Sequence, residues 1–211
     1  MVQKVVEFFR HKDKNTRDNR WIFGSMLVGS VLSLIAAFAL SIDAVQLAKD
    51  PNATLSCSVN VLINCATVAK HPSAMMFGFP NSFLGLISEP VVITVAIAGL
   101  SGIRFPKKFM FVAQVFYTLG FLFALYLLSI SYFVIGALCP WCLLVTLTTT
   151  LVFFAMTRYN VREENLYLPK KAAKKLKYWF EEKDYDKLVM WALIAFLTAM
   201  ILIKYSKGLF G

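Results

Sequence analysis

The sequence predicts an all-α integral membrane protein: a four-helix transmembrane bundle plus a fifth transmembrane helix, with a cytoplasmic N-terminus. Three observations carry this prediction. Of 211 residues, 58% are hydrophobic and only 16% charged, with a mean hydropathy of +0.64, a balance that soluble domains rarely reach. The apolar residues gather into five runs near the roughly 20 residues that a helix needs to cross the hydrocarbon core. The Lys and Arg residues behind the net charge of +10 lie between those runs and form no stripe of the kind that binds nucleic acid.

Trp21 to Ile42 contains no charged residue, and a basic stretch precedes it. Ala37-Phe38-Ala39 resembles a signal-peptidase site, but the run exceeds the roughly 7–15 residues of a signal-peptide core, so a retained helix is expected. Phe83 to Leu100 is apolar apart from Glu89, followed by Pro90. Phe109 to Ile135 is long and rich in aromatic residues, and Leu138 to Met156 follows after a very short break. Leu188 to Ile203 is the shortest run. Residues 1–20 thus form a cytoplasmic N-terminal segment, 21–157 a four-helix core with an extracytoplasmic loop at 43–81, 158–187 a basic, helical, partly amphipathic cytoplasmic connector, and 188–211 the fifth transmembrane helix with a short tail.

Orientation follows from the basic residues, because cytoplasmic flanks carry the excess of Lys and Arg. Six lie before the first run, three between the second and third, and nine between the fourth and fifth. The opposite flanks hold four: Lys49, Lys70, Lys204 and Lys207. The N-terminus is therefore expected in the cytoplasm and the first and third loops outside.

All four cysteines fall on the outward side: Cys57 and Cys65 in the first loop, Cys139 and Cys142 where the third loop enters the fourth run. An oxidising exterior permits disulfides, and the two pairs come from segments that a compact bundle brings together. Cys139-Pro140-Trp141-Cys142 has the C-x-x-C spacing of thiol–disulfide catalysts. Proline suits the first helical turn and a helix N-terminus stabilises a thiolate, so Cys139 is expected to ionise more readily, with Cys142 one turn deeper among apolar groups. The same spacings also suit structural disulfides, a closed four-ligand zinc site or buried thiols. Val59, Leu62, Ile63 and Ala66 recur at helical spacing, predicting a short helix that holds Cys57 toward water and Cys65 toward the bundle.

Cys57-x7-Cys65, then Phe77-Gly78-Phe79-Pro80-Asn81-Ser82-Phe83-Leu84-Gly85, then Cys139-Pro140-Trp141-Cys142 at a helix start, in that order, resembles the vitamin K epoxide reductase family over about Trp21 to Met156. The Dsb-type quinone-linked oxidases place their C-x-x-C in the first outer loop, the reverse order. The resemblance implies a four-helix bundle around a quinone of menaquinone or ubiquinone type, with Cys139 and Cys142 the redox-active pair, Cys142 facing the ring, and Cys57 and Cys65 the shuttle pair. It implies that Asn81 hydrogen-bonds a quinone carbonyl, while Pro80-Asn81-Ser82 also reads as a helix cap. It further implies reoxidation of a separate extracytoplasmic thioredoxin-fold (DsbA-like) partner at the cell membrane, in support of disulfide formation. Two positions depart from the family pattern: His71 replaces the serine or threonine found in some members, and Thr146 replaces a tyrosine of animal members. The rivals are a membrane protein with purely structural outer disulfides and a vitamin K quinone or epoxide reductase.

Glu89 is expected to be the sole acid within a span and a candidate cofactor-binding or proton-relaying residue, since intramembrane acids are costly; the alternative is a neutral or paired acid beside Pro90. His11 reads as a solvated terminal residue and His71 as a loop residue or proton donor. Asn52-Ala53-Thr54 matches an N-glycosylation sequon, relevant only in a eukaryotic secretory compartment. The aromatic residues, 15% of the chain, are expected to face lipid or the interface.

Overall fold

The computed structural model describes residues 13–55, 57, 58 and 60–210, the last four as backbone. His11 and Val59 lie outside the described residues. Among them, five helices are long and apolar enough to cross a membrane, and no strand forms.

Helix α1 (Lys14–Lys49) begins where Asp13 accepts a 2.7 Å hydrogen bond from the Thr16 N–H, satisfying one of the free amides of the first turn. At 36 residues it is about 54 Å long, well beyond a hydrocarbon core of about 30 Å. It therefore runs on through Asp43 to Lys49, and the outer loop expected from residue 43 starts at Asp50. The apolar run marks only the part of the helix that lipid requires to be apolar; the polar ends continue because their backbone bonds are internal.

Short helix α2 (Cys65–Lys70) and a 3₁₀ turn (Pro72–Met75) lead to α3 (Ser82–Leu100). Next come α4 (Lys107–Ile130), with a π-helical extension at Ser131–Ile135, and α5 (Pro140–Arg162). The amphipathic α6 (Lys170–Glu181) and the last helix, α7 (Tyr185–Phe210), complete the chain. Helix α1 packs along α3 and α5, α4 closes against α5, and α7 lies beside α5. A Cβ on Gly29 would stand 2.6 Å from a Val152 methyl, so α1 and α5 meet where only a glycine fits. Ile22, Phe23 and Met26 of α1 join Val92, Ala96, Val152 and Ala155 in the main core. Such packing makes α1 a structural member of the bundle, in keeping with a retained helix. Phe38, Ile87, Phe116 and Phe196 point outward and are more than half exposed, a surface suited to lipid and costly in water.

The basic end of the bundle explains why α5 outlasts the Leu138 to Met156 run and α7 starts before Leu188. Arg158, 3% exposed, reaches Asp18 at 2.6 Å, Asp186 at 2.7 Å and Asp184 at 2.8 Å, and donates to the Phe180 carbonyl at 2.6 Å. Arg162 adds a 3.1 Å contact to Asp18. Charges that read as the limits of spans are thus neutralised inside the helix ends, and residues 158–162 and 185–187 of the expected connector are span helix. Burial pushes the Asp184 carboxyl up, but Lys187 and Arg158 outweigh it and hold it below the usual range.

Candidate active site

The opposite end carries the sulfur atoms. Asn60 Oδ1 accepts from the Leu62 and Ile63 amides at 3.0 and 2.7 Å and turns the chain. Asn64, extended at φ −147°, caps α2 by accepting from the Thr67 N–H at 3.0 Å. This cap starts the helix at Cys65, so Leu62 lies in a bend and Ile63 in a bridge, and the helical face expected to include them with Ala66 does not form. They pair instead with the segment before α5: the Leu138 N–H donates to the Leu62 carbonyl at 2.7 Å and the Asn64 N–H to the Leu138 carbonyl at 3.0 Å, around an isolated parallel bridge between Ile63 and Leu138.

This clamp sets the cysteines. Residues bonded across it lie immediately before Cys65 on one segment and Cys139 on the other. Their Sγ atoms are 3.2 Å apart, and Cys65 and Cys139 are each 1% exposed. Cys57 and Cys65 form a disulfide, with Cys57 partly exposed, while Cys139 and Cys142 are free thiols. A closed four-thiolate zinc site needs two more thiolates than Cys139 and Cys142 offer in this state.

Gly136, at φ +72°, ends the π-helical turn in a conformation that favours glycine and redirects the chain to Cys139. Cys139 occupies the N-cap of α5, with Pro140 at its first position. A hydrogen bond from the Cys142 thiol, helped by the Cys142 and Trp141 amides, holds the Cys139 thiol below the usual cysteine range against burial and the Asp43 carboxylate, which push it up. Cys139 is thus the readily ionised member of the pair, and it is also the one that touches Cys65.

Asn81 sits just before α3 with helical backbone angles and makes no capping bond, so its reading as a helix cap does not hold. Its Nδ2 donates to the Ser73 carbonyl at 2.7 Å, and its Oδ1 is buried with no partner among the described residues. His71 accepts from the Ser73 N–H through Nδ1 at 3.2 Å, ordering the same turn from a position in the loop. Thr146, one turn below Cys142, donates to the Cys142 carbonyl at 3.0 Å.

Glu89 is 4% exposed and about 10 Å along α3 from its start at Ser82. Its Oε1 accepts from the Ser33 hydroxyl at 3.1 Å; its Oε2 and the Tyr117 hydroxyl are buried facing one another, with Thr149 beside the Tyr117 hydroxyl, and neither closes a hydrogen bond of ordinary geometry among the described residues. Buried polar groups of this kind are uncommon and fit a ligand that carries both donors and acceptors. The carbonyls of a quinone and the hydroxyls of its reduced form have that chemistry, and an apolar bundle suits the ring.

Glu89 is the one acid of the apolar runs, and a second buried acid lies just past the first of them. Asp43, within α1 and 7% exposed, places Oδ2 at 3.3 Å from Cys57 Sγ. With Leu55, Thr54 and Trp141 it lines an open cleft of about 470 Å³ beside the sulfur atoms. Sequence reasoning passed over Asp43 because it follows directly on an uncharged run; the signal available was an acid one residue past Ile42 on the flank that also holds the cysteines.

A model of the vitamin K epoxide reductase family matches residues 25–157, well over half of the 211-residue chain. No curated protein matches. The match begins within α1 and ends within α5, and it includes all of α3 and α4 and all four cysteines. Five apolar helices, a disulfide in the first loop, a C-x-x-C pair at a helix start and the family match agree: the chain belongs to the vitamin K epoxide reductase family, as a multi-pass membrane oxidoreductase of thiols and disulfides.

Proposed function

We propose that the protein is a thiol:quinone oxidoreductase that reoxidises a separate extracytoplasmic thioredoxin-fold partner of DsbA type and so supports disulfide formation. The observation that carries this reading is the 3.2 Å contact between Cys139 Sγ and Cys65 Sγ, with Cys65 at the same time bonded to Cys57. Three sulfurs in contact form a relay, because thiol–disulfide exchange needs only a thiolate and a reachable disulfide sulfur.

The partly exposed Cys57 is the sulfur that a reduced partner attacks, releasing Cys65 as thiolate. The partner's second thiol resolves that mixed disulfide, so the partner leaves oxidised and Cys57 is freed as a thiol; Cys65 then attacks Cys139 of a Cys139–Cys142 disulfide, freeing Cys142, and Cys57 closes again on Cys65 to release Cys139. The products are a Cys57–Cys65 disulfide and a Cys139/Cys142 dithiol, the arrangement of sulfurs described above. Asn81, Cys142 and, deeper, Glu89 are the residues assigned to hold a quinone, of menaquinone or ubiquinone type. When bound, a quinone supplies a sink for two electrons and two protons. Glu89, hydrogen-bonded to Ser33, holds a proton within the span and serves as its relay, which normal turnover of Glu89→Gln at every pH would refute. The basic end of the bundle faces the cytoplasm and the sulfur end the exterior of the cell membrane, in keeping with the excess of Lys and Arg at the former.

The test is quinone reduction by a reduced thioredoxin-fold protein in each single Cys→Ala variant, with thiol trapping at intervals. Loss of turnover in all four variants, and a trapped mixed disulfide with the partner in Cys65→Ser, are expected. Full turnover without Cys142 would end the scheme, and cysteines that remain oxidised through added reductant and quinone would mark the disulfide as purely structural.

A further inference from the structure

The relay proposed above moves protons as well as electrons. When Cys57 attacks Cys65 to release Cys139, the Cys57 thiol must lose a proton, and in a half-buried site next to lipid that proton needs a specific acceptor. Asp43 is placed for it. Its Oδ2 lies 3.3 Å from Cys57 Sγ, and it comes from a different element, the last two turns of α1, so the contact is tertiary rather than a consequence of the loop. Its side chain makes no ion pair among the described residues, although it is 7% exposed and burying an unpaired carboxylate is costly. A structural carboxylate would be paired; this one is held against a reacting sulfur. It also forms part of the wall of the open cleft, with the polar side chains of Gln46 and Thr54 beside it, which provides an exit to solvent.

We infer that Asp43 is the proton acceptor of the internal exchange, taking the Cys57 thiol proton as Cys57 closes on Cys65. The inference rests on the proposed relay. In this step the Cys65–Cys139 bond breaks and the Cys57–Cys65 bond forms, Cys139 leaves with the electron pair as thiolate, and the proton of Cys57 passes to the Asp43 carboxylate. No outside oxidant or reductant enters. In reverse, Cys139 attacks Cys65 across the observed 3.2 Å, and protonated Asp43 donates to the departing Cys57 sulfur. The titratable groups that face Asp43 are the sulfurs of Cys57 and Cys65 from the loop, both within 4.8 Å of its carboxylate, and those of Cys139 and Cys142 from the start of α5.

The experiment uses the full chain, fully oxidised, mixed with dithiothreitol and quenched with acid and maleimide at intervals between about pH 5.5 and 9. Mass analysis follows the Cys65–Cys139 mixed disulfide. In Asp43→Asn that species accumulates, and its resolution is slower by about 100-fold near neutrality, the scale of a lost general base. The deficit narrows as pH rises and Cys57 ionises unaided, and Asp43→Glu restores most of the rate. In Asp43→Ala, added formate, reaching the sulfur through the cleft, restores resolution. Should Asp43→Asn fail to fold, the other two variants decide. Resolution as fast as wild type, slowing by one factor at every pH, or no rescue by either Glu or formate would overturn the role. A wild-type protein that passes no electrons from the first pair to the second would sink the relay itself, whereas a deficit absent only from the Asp43 variants removes Asp43 and leaves the relay standing.

Discussion

The two ends of the bundle are built from opposite kinds of contact. At the basic end, one buried guanidinium gathers three carboxylates and a carbonyl, and it joins α1, α5 and α7 in a single network. At the sulfur end, the loop is tied to α5 by two backbone hydrogen bonds around one bridge and by a sulfur–sulfur contact. One end is held by charges whose separation would leave a bare ion in a poorly solvated place; the other by bonds that exchange at little cost. Permanence and reactivity are thereby kept at opposite ends of the same helices.

Breaking each end separately tests this contrast. The largest effect is expected from Cys139→Ser, which removes the sulfur that meets Cys65: turnover in a quinone-reduction assay falls to background, while the unfolding midpoint in detergent moves little because the Cys57–Cys65 disulfide stays and serine nearly keeps the volume of the buried thiol. A large drop in stability with that substitution would mean that the sulfur end also holds the fold. Arg158→Ala is the mirror case. Stranding Asp18 and Asp186 costs about 3–5 kcal/mol in equilibrium unfolding, yet the folded fraction shows the same pattern of maleimide labelling at the four cysteines.

The sequence carried the spans and the cysteine spacing but not the joints between them. Apolar runs announce themselves because a bilayer demands about 20 residues of helix, whatever the tertiary structure. Their ends were misplaced because Arg158 and Asp18, 140 positions apart, neutralise one another, and no local pattern reports such a pair. The C-x-x-C motif and the loop pair were legible as chemistry. The clamp from Ile63 to Leu138 was not, because a bridge of one residue on each side is too short to leave a periodic signal. Glu89 stood out as an acid in an apolar run, while Ser33 and Tyr117, which define its surroundings, are ordinary helical residues until the helices pack.

Two smaller effects sharpen the comparison within the sulfur end. Alkylation of Cys139 in the reduced protein should follow a thiolate that persists below the pH of an ordinary cysteine and is lost as pH falls through the lowered value. Because the Cys142 hydrogen bond is the main cause of that lowering, Cys142→Ala moves the profile to higher pH; an unmoved profile in a rate-versus-pH series would assign the effect to the helix end instead. Asn64→Ala, which removes the cap of α2, costs about 1 kcal/mol in stability and slows turnover modestly by loosening the clamp. Equal turnover would show that the bridge alone positions Cys65.

The sulfurs that touch are also unequally distant along the chain. Cys57 and Cys65 are separated by 8 positions, so their bond closes a short local loop. Cys65 and Cys139 are separated by 74, and two whole helices must be threaded into lipid between them. The first bond thus depends on the local chain alone, whereas the contact that the proposed relay needs depends on the packed bundle.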